Sequence, residues 1–189
     1  MNNIELFHEK ENCCGCGACY SICPKNAIKM TEDQDGFIYP QIDRVKCVQC
    51  GLCKMACNYQ KSHEAFKPIG GYVATNTNHD QLMKSSSGGA FSAFATEMLQ
   101  NGGVVYGAAY EIKNGNYVLQ HIRINTIEEL PKLQGSKYVQ SYIFDALPHI
   151  KKDLESGKKV LFSGTPCQVD ALNGYLKKIY DNLITVDII

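Results

Sequence analysis

Cysteine is the residue type whose number and spacing point most directly to chemistry in this sequence. Nine of the ten cysteines lie between positions 13 and 57, and the tenth is Cys167. The spacing C-x2-C-x2-C-x3-C occurs twice, from Cys13 to Cys23 and again, 34 positions later, from Cys47 to Cys57. Thiols gathered this densely, in a chain whose start does not resemble a secretory signal, predict bound metal rather than disulfides.

The doubled spacing resembles that of bacterial ferredoxins with two four-iron, four-sulfur clusters, in which the fourth cysteine of each run binds the other cluster. The resemblance covers about residues 8–60. It implies two [4Fe-4S] clusters with these ligands: Cys13, Cys16, Cys19 and Cys57 for one, and Cys47, Cys50, Cys53 and Cys23 for the other. Zinc is the alternative metal. Zinc sites use four ligands in two C-x2-C pairs, however, and would leave the third cysteine of each run without a role.

Two features depart from the simple ferredoxin pattern. The first run ends in the usual Cys23-Pro24, whereas the second ends in Cys57-Asn58, a difference that affects a turn and not a ligand. Cys14 is an additional cysteine with no place in the ligand scheme. It fits either a small packing residue beside a cluster or a regulatory thiol.

The chain changes character after the second run, where a polar connector at about residues 58–68 begins a stretch without cysteine that lasts until Cys167. We place a domain boundary there. The sequence predicts an α+β dicluster ferredoxin domain at residues 1–66, followed at residues 67–189 by an α/β domain with a mainly parallel sheet. In the first domain Asp35-Gly36 lies between two apolar stretches, a hairpin signal that fits the short sheet of a ferredoxin.

The predicted second domain alternates apolar strands with amphipathic helices. Strands are expected at residues 72–75, 104–110, 117–124, 159–163 and 183–189, and the second and third of these could instead form an antiparallel pair. Two helical faces are predicted from Phe91, Phe94, Ala95, Met98 and Leu99, and from Val169, Leu172, Leu176 and Ile179. The last strand has no helix after it, which predicts a domain that is incomplete at its carboxyl end.

Two loops at predicted helix starts have residues that could hold a cofactor. Residues 85–91, SSSGGAF, offer hydroxyl groups and bare amides to a phosphate or carboxylate, although a helix cap without a ligand explains the same residues. Residues 164–168, GTPCQ, follow an apolar strand. There Thr165 can cap the helix, Pro166 suits its first position and Gln168 completes a capping box.

Cys167 is the one candidate catalytic residue. It is predicted to lie in the first turn of that helix, where free amides and the helix dipole are expected to lower its pKa. Three roles are open to it: a reactive nucleophile, an additional cluster ligand, or an inert packed thiol.

Three motifs extend a second resemblance over almost the whole chain. They are SSGGAF at 86–91, GSKYV at 135–139 and GTPCQ at 164–168. Together with the ferredoxin domain, they resemble the family of beta subunits of coenzyme F420 hydrogenases and dehydrogenases. In that family the α/β part binds a flavin, which exchanges hydride with a deazaflavin while iron–sulfur clusters supply single electrons. The resemblance implies FAD held by Ser86, Ser87, Gly88, Gly89, Lys137, Thr165 and Cys167. Lys137 would contact phosphate or flavin, and a solvated surface lysine is the alternative.

The predicted function is iron–sulfur electron transfer within a flavin-dependent oxidoreductase. The expected partners are a redox protein or a hydrogenase or dehydrogenase subunit, together with a deazaflavin or another hydride carrier. The alternative is a plain ferredoxin-like electron carrier or electron-delivery module without catalysis of its own. Flavin content would separate the two.

Composition argues against several other classes. Nineteen basic and nineteen acidic residues give zero net charge, which suggests neither nucleic acid nor an anionic membrane as a partner. No stretch approaches the roughly 20 apolar residues that span a bilayer, and the start of the chain lacks the features of a secretory signal. We therefore expect a cytoplasmic protein. The five histidines have no ligand spacing and are interpreted as surface or packing residues: His8, His63, His79, His121 and His149.

Overall fold

The structure is a computed structural model that describes residues 4–61 and 67–189. The predicted domain boundary between residues 66 and 67 borders the segment outside this description, and it stays a prediction. His63 also lies outside the described residues. Among the helices within these two ranges, none is long and apolar enough to cross a membrane.

The amino-terminal part is built around two short helices and a hairpin. Each helix follows a glycine in the left-handed conformation, Gly17 or Gly51, both with φ of 75°. Glycine adopts this conformation at little cost, so the backbone can turn sharply just before the third cysteine of each run. The elements are α1 (Ala18–Ser21), β1 (Ile28–Glu32), β2 (Ile38–Ile42) and α2 (Leu52–Ala56). The two strands pair antiparallel across the predicted Asp35-Gly36 turn, which confirms the hairpin.

The carboxyl-terminal part contains a four-stranded sheet. Its elements are α3 (His79–Met83), α4 (Ala90–Gln100), β3 (Val104–Lys113), β4 (Asn116–Ile124), α5 (Ala146–Glu155), β5 (Val160–Gly164), α6 (Pro166–Leu176) and β6 (Leu183–Asp187). The strand order is β4-β3-β5-β6. β3, β5 and β6 are parallel, whereas β4 is antiparallel to β3. The mainly parallel α/β sheet is therefore confirmed, with the antiparallel alternative correct for its first two strands.

Local sequence explains the turn between β3 and β4 and the layering around the sheet. Asn114 and Gly115 both have positive φ, as a two-residue hairpin turn of the Asn-Gly type requires. All five residues of β5 are buried, and alternate side chains point to opposite faces. Leu161 packs with α4 on one face, while Phe162 packs with α5 and α6 on the other. The sheet thus lies between two helical layers.

Several predicted elements are wrong. Residues 72–75 are not a strand: Tyr72 and Val73 have side chains 88% and 104% exposed, so these apolar residues have no sheet to pack on. Ile179 lies beyond α6, because Lys177 adopts a left-handed conformation that ends the helix at Leu176. Phe94 is exposed on α4 and does not share the buried face of that helix. Two helices of the α/β part, α3 and α5, were not predicted from the sequence.

Candidate functional site

Four of the predicted cluster ligands line one cavity of the amino-terminal part. This inner cavity has a volume of about 380 Å³, counting the space at its mouth, and its walls include Leu6, Phe7 and Pro40. The thiols in it are Cys13, Cys16, Cys19 and Cys57. Cys14 also lines this cavity.

The other four predicted ligands line a second cavity, the outer cavity. It measures about 350 Å³ on the same basis and has apolar walls that include Ile28, Ile42 and Leu52. The thiols in it are Cys23, Cys47, Cys50 and Cys53. Each cavity thus gathers three cysteines of one run with the last cysteine of the other, which is the exchange that the ferredoxin resemblance implies. Binding of iron by these eight thiols stays a prediction.

The chemistry of both cavities suits an iron–sulfur group. Soft thiol ligands in apolar surroundings favour iron–sulfur clusters and other soft metals. In residues 4–61 and 67–189, no group of three or more His, Cys, Asp or Glu side chains is arranged to hold a single metal ion. The two sets of four thiols, with their apolar walls, are instead suited to clusters that contain several irons.

Burial affects the protonation of these thiols. It raises the pKa of Cys13 and of Cys53, and it raises the pKa of Cys19 to about 12. Electrostatic interactions with the nearby Cys13 and Cys57 side chains add to the shift at Cys19. In the metal-free protein these thiols are neutral at pH 7, so cluster assembly must release their protons.

The inner cavity lies against the α/β part. The Ser21 hydroxyl donates to the backbone carbonyl of Phe144 at 2.8 Å, and the Gln140 side-chain amide donates to the carbonyl of Cys14 at 3.4 Å. The side-chain amide of Asn58 donates to the carbonyl of Asp170 on α6 at 3.2 Å. The departure from the ferredoxin pattern at Asn58 therefore coincides with a contact between the two parts.

The outer cavity, in contrast, lies at the surface of the described chain. Cys50 is exposed, and so are the apolar side chains of Val45 and Val48 in the same loop. The two cysteine sets consequently differ in access to solvent.

The predicted flavin residues fall into two groups. The first group is the serine–glycine loop, residues 86–89. There the Ser86 hydroxyl accepts a hydrogen bond from the backbone amide of Ser136 at 2.8 Å, which joins this loop to the GSKYV motif. Gly89 has φ of 77° just before α4. At Gly88 a Cβ would lie 2.3 Å from the carbonyl oxygen of Ala74, so only glycine fits there. Ser87 lies between Ser86 and Gly88 in the same loop. Contact of this loop with a flavin stays a prediction.

Lys137 directs its ammonium group toward backbone. It donates to the carbonyl of Gln134 at 2.8 Å and to that of Lys132 at 3.3 Å. Burial lowers its pKa. Lys137 is therefore partly buried and held by carbonyl oxygens, which differs from the solvated lysine of the alternative interpretation.

The second group lies at the start of α6. The backbone amide of Thr165 donates to the side chain of Gln168 at 3.0 Å and Pro166 occupies the first helical position, which confirms the predicted capping box. The Thr165 hydroxyl lies 3.1 Å from the sulfur of Cys167. In this second group Cys167 contacts Cys14 and the neighbouring Gln168 contacts Ser141. In the first group Ser86 contacts Ser136 instead.

The expected lowering of the Cys167 pKa is wrong. A hydrogen bond with the Cys14 side chain, together with burial, raises the pKa of Cys167. These effects outweigh the favourable contributions of Thr165 and of the helix amide. The sequence could not reveal this, because Cys14 is distant in the chain.

His121 is a buried polar residue that was not predicted to belong to the site. Its Nε2 lies 2.9 Å from the carbonyl of Ser163 at the end of β5, and its Nδ1 lies 3.1 Å from the hydroxyl of Ser141. Gln168 donates to the same hydroxyl at 2.9 Å. Burial lowers the pKa of His121 to about 4, so the ring is neutral at pH 7. His121 lies two residues after buried Leu119 on β4, so both side chains point to the same face of the strand. This alternation was the sequence signal for the burial of His121.

Two family profiles match the chain. The family described as "4Fe-4S dicluster domain" matches residues 12–61. The family described as "Coenzyme F420 hydrogenase/dehydrogenase, beta subunit N-term" matches residues 71–148.

Three curated proteins are similar to parts of the chain. An uncharacterized ferredoxin of Methanocaldococcus jannaschii is 37% identical over 54 residues, which cover 29% of this chain and 69% of that protein. The NADH-quinone oxidoreductase subunit named I 2 of Geobacter metallireducens is 27% identical, with 44% of this chain and 64% of that protein covered. The F subunit of the F(420)H(2) dehydrogenase of Methanosarcina mazei is 20% identical over 92% of this chain and 51% of that protein. The chain thus spans about half the length of this last relative.

One solved structure is also similar. It is a xenon derivative of the F420-reducing [NiFe] hydrogenase complex from Methanosarcina barkeri, 24% identical, with 54% of this chain and 36% of that chain covered. The TM-score is 0.42.

Proposed function

We propose that the chain provides electron transfer to a flavin-dependent oxidoreductase, because residues 71–148 match the family of coenzyme F420 hydrogenase/dehydrogenase beta subunits and residues 12–61 match a dicluster ferredoxin domain. The chain is an iron–sulfur electron-transfer protein. The proposal adds a flavin, a hydride carrier and a protein partner to that assignment.

One observation carries the proposal: two cavities each collect four thiols, three from one run and one from the other. A ligand set shared in this way ties the two runs into one unit and suits two clusters. Each cluster, when bound, supplies one electron at a time, whereas a deazaflavin or nicotinamide exchanges two electrons as hydride. A flavin can do both and so connects the two regimes.

In this proposal the amino-terminal part binds the clusters and the α/β part binds the flavin. The eight thiols hold the clusters, and the apolar walls of the cavities limit water and so influence the cluster potentials. The inner cavity, which packs on the α/β part through Ser21 and Asn58, is nearer to the proposed flavin region. The proposed FAD contacts are the serine–glycine loop at 86–89, Lys137, Thr165 and Cys167.

A cytoplasmic setting and a partner subunit complete the proposal. The donor is proposed to be a redox protein or a hydrogenase or dehydrogenase subunit, and the hydride acceptor a deazaflavin or related carrier. The relative in Methanosarcina mazei, named as a subunit of F(420)H(2) dehydrogenase, supports this choice.

The test is elemental and flavin analysis of protein purified without oxygen. About eight iron and eight sulfide per chain, together with bound flavin, are expected from two four-iron clusters and a flavin site. About eight irons without flavin would favour the plain electron carrier. Zinc in place of iron would contradict the assignment of the clusters themselves. A Gly88→Ala variant is the matched control for flavin, because it should disturb the serine–glycine loop and leave the iron content unchanged.

A further inference from the structure

The residues around the outer cavity are rich in positive charge. Residues 44–61 contain four basic residues and no acidic one, although the whole chain has zero net charge. Arg44 and Lys46 come just before the first cysteine of the second run, and Lys54 follows its third. Lys25, from the turn after the first run, lines the outer cavity itself. We call these four residues the basic surface, and all of them are exposed.

Contacts and chain position hold these cations beside the cavity. Nη1 of Arg44 donates to the backbone carbonyl of Ile4 at 2.6 Å, and Ile4 is a wall residue of the outer cavity. Lys54 lies on α2 directly after Cys53, which is another wall residue. The positive charges are therefore anchored at the rim of a single cavity.

Most of this charge is not neutralised within the described chain. Asp43 is the neighbouring acid. Its carboxylate accepts hydrogen bonds from the backbone amides of Val45 and Lys46, and it lies 3.4 Å from the Lys46 ammonium group. Glu5, in the adjoining amino-terminal segment, pairs with His8 at 3.1 Å. Among the residues that the structure describes, Lys46 is the only member of the basic surface with a carboxylate partner. Its other three cations are left for negative charge from outside.

The same surface also presents apolar side chains to solvent. Val45 is 96% exposed and Val48 is 57% exposed, and both lie in the loop that leads to exposed Cys50. Apolar contacts inside a polar and charged rim are the usual composition of a protein–protein interface. The inner cavity differs, because there the first run packs on Phe144 of the α/β part.

We propose that the basic surface, together with Val45 and Val48, docks the acidic face of a small one-electron carrier protein. This inference rests on the proposed function and adds the chemistry of its protein partner. One electron leaves the reduced carrier, which is oxidised, and reduces the cluster held by the four thiols of the outer cavity; no bond forms or breaks. Opposite charges speed the encounter, and a small contact area lets the oxidised carrier leave.

The test is a cross-linking map of the full chain, purified without oxygen and with its clusters present, so that the charge of the clusters is included. The probe is flavodoxin, a small acidic one-electron carrier. A carbodiimide joins lysine ammonium groups to carboxylates that touch them, and mass spectrometry identifies the linked peptides. Links from Lys25, Lys46 and Lys54 to flavodoxin are expected at low salt. They should disappear at about 0.5 M sodium chloride, where charges are screened beyond about 4 Å.

The map has an internal control on the other side of the sheet. Lys84, at the end of α3, and Lys132, in the short helix after β4, are exposed and belong to elements that contact α4. They should not be linked to flavodoxin. Links spread equally over Lys84 and Lys132, links that survive high salt, or links from the basic surface to a second copy of this chain would each overturn the proposal. Flavin analysis is independent of this map, so a lack of flavin would count against the proposed function alone.

Charge-reversed variants give a second, kinetic readout. Lys25→Glu combined with Lys54→Glu should slow reduction of the clusters by reduced flavodoxin about tenfold at low salt, measured by stopped-flow absorption. Lys84→Glu combined with Lys132→Glu changes the net charge equally and should leave the rate within about twofold. Equal slowing in both would show that only net charge matters and would overturn the proposal. The wild-type map decides the outcome where a variant does not fold.

Discussion

The inner and outer cavities are built from nearly the same cysteine run, yet they have different surroundings. Gly17 and Gly51 occupy equivalent positions, with the same φ of 75°. A Cβ added at Gly17 would lie 2.1 Å from an atom of the Phe144 ring, whereas one added at Gly51 would meet nothing within 4 Å. One copy of the repeat packs against the α/β part at this glycine, and the other is open there. Ligand spacing and packing role are therefore separate properties of the same motif.

This difference suggests a direction for electron flow. The inner cavity contacts the part proposed to bind flavin, while the outer cavity has Cys50 and Val48 at the surface. We expect a redox partner to approach the outer cavity and the inner cavity to connect with the flavin.

The largest expected effect is the loss of one cluster from either cavity. Cys19→Ala in the inner cavity and Cys53→Ala in the outer cavity should each reduce iron from about eight to about four atoms per chain, because each cluster needs its four thiolates. Iron and sulfide analysis with electron paramagnetic resonance of the reduced protein measures this. Cys14→Ala is the control, and it should keep all the iron. Equal loss of iron in that control would show that the ligand sets are assigned incorrectly.

The second expected effect separates packing from backbone strain. Gly17→Ala and Gly51→Ala introduce the same left-handed alanine, which costs about 1–2 kcal/mol in each. Only Gly17→Ala also drives a methyl group into Phe144, and we expect it to lower the free energy of unfolding by about 1–3 kcal/mol more. Urea unfolding followed by circular dichroism, without oxygen, compares the two. Equal destabilisation would mean that the inner cavity does not pack on Phe144.

Much of the fold could be predicted because the deciding signals are local. The two cysteine runs, the Asn114-Gly115 turn and the capping box of α6 each depend on residues close together in the sequence. The prediction of a strand at residues 72–75 was wrong, because apolar residues form a strand only where a neighbouring strand is present to pair with them. Strand propensity mainly reflects packing against such neighbours.

The candidate site was predictable in its ligands and not in its connections. The resemblance of the two cysteine runs to those of dicluster ferredoxins implied which four would share each cavity. The contact of Cys14 with Cys167 depends instead on how two distant segments dock, and it reversed the expected pKa shift of Cys167. The same holds for His121, whose partners Ser141 and Ser163 come from separate segments.

The third expected effect concerns the dependence of folding stability on pH, through buried His121. Burial lowers the pKa of His121 from 6.5 to about 4. The unfolded chain therefore binds this proton at a higher pH than the folded chain does. The associated stability is complete above about pH 6.5 and is lost as the pH falls toward 4, by up to about 3 kcal/mol.

His121→Gln should flatten the pH dependence of the free energy of unfolding over that range. Urea unfolding at pH 7 and pH 5 measures it, and exposed His149 provides the control as His149→Gln. An unchanged slope in His121→Gln would mean that the pKa of His121 does not differ between the folded and unfolded chains.

The smallest expected effect concerns the residue that distinguishes the ends of the two runs. Asn58 donates to the carbonyl of Asp170 on α6, whereas Pro24 stands at the equivalent position of the first run. Asn58→Ala removes that hydrogen bond and should cost about 1 kcal/mol of unfolding free energy. Pro24→Ala is the matched control for the turn after a cluster cysteine. If Asn58→Ala lowers the free energy of unfolding by no more than Pro24→Ala does, the asparagine at position 58 affects only the local turn. A greater cost would mean that the second run helps to dock the inner cavity on α6, although most of its own ligands face the outer cavity.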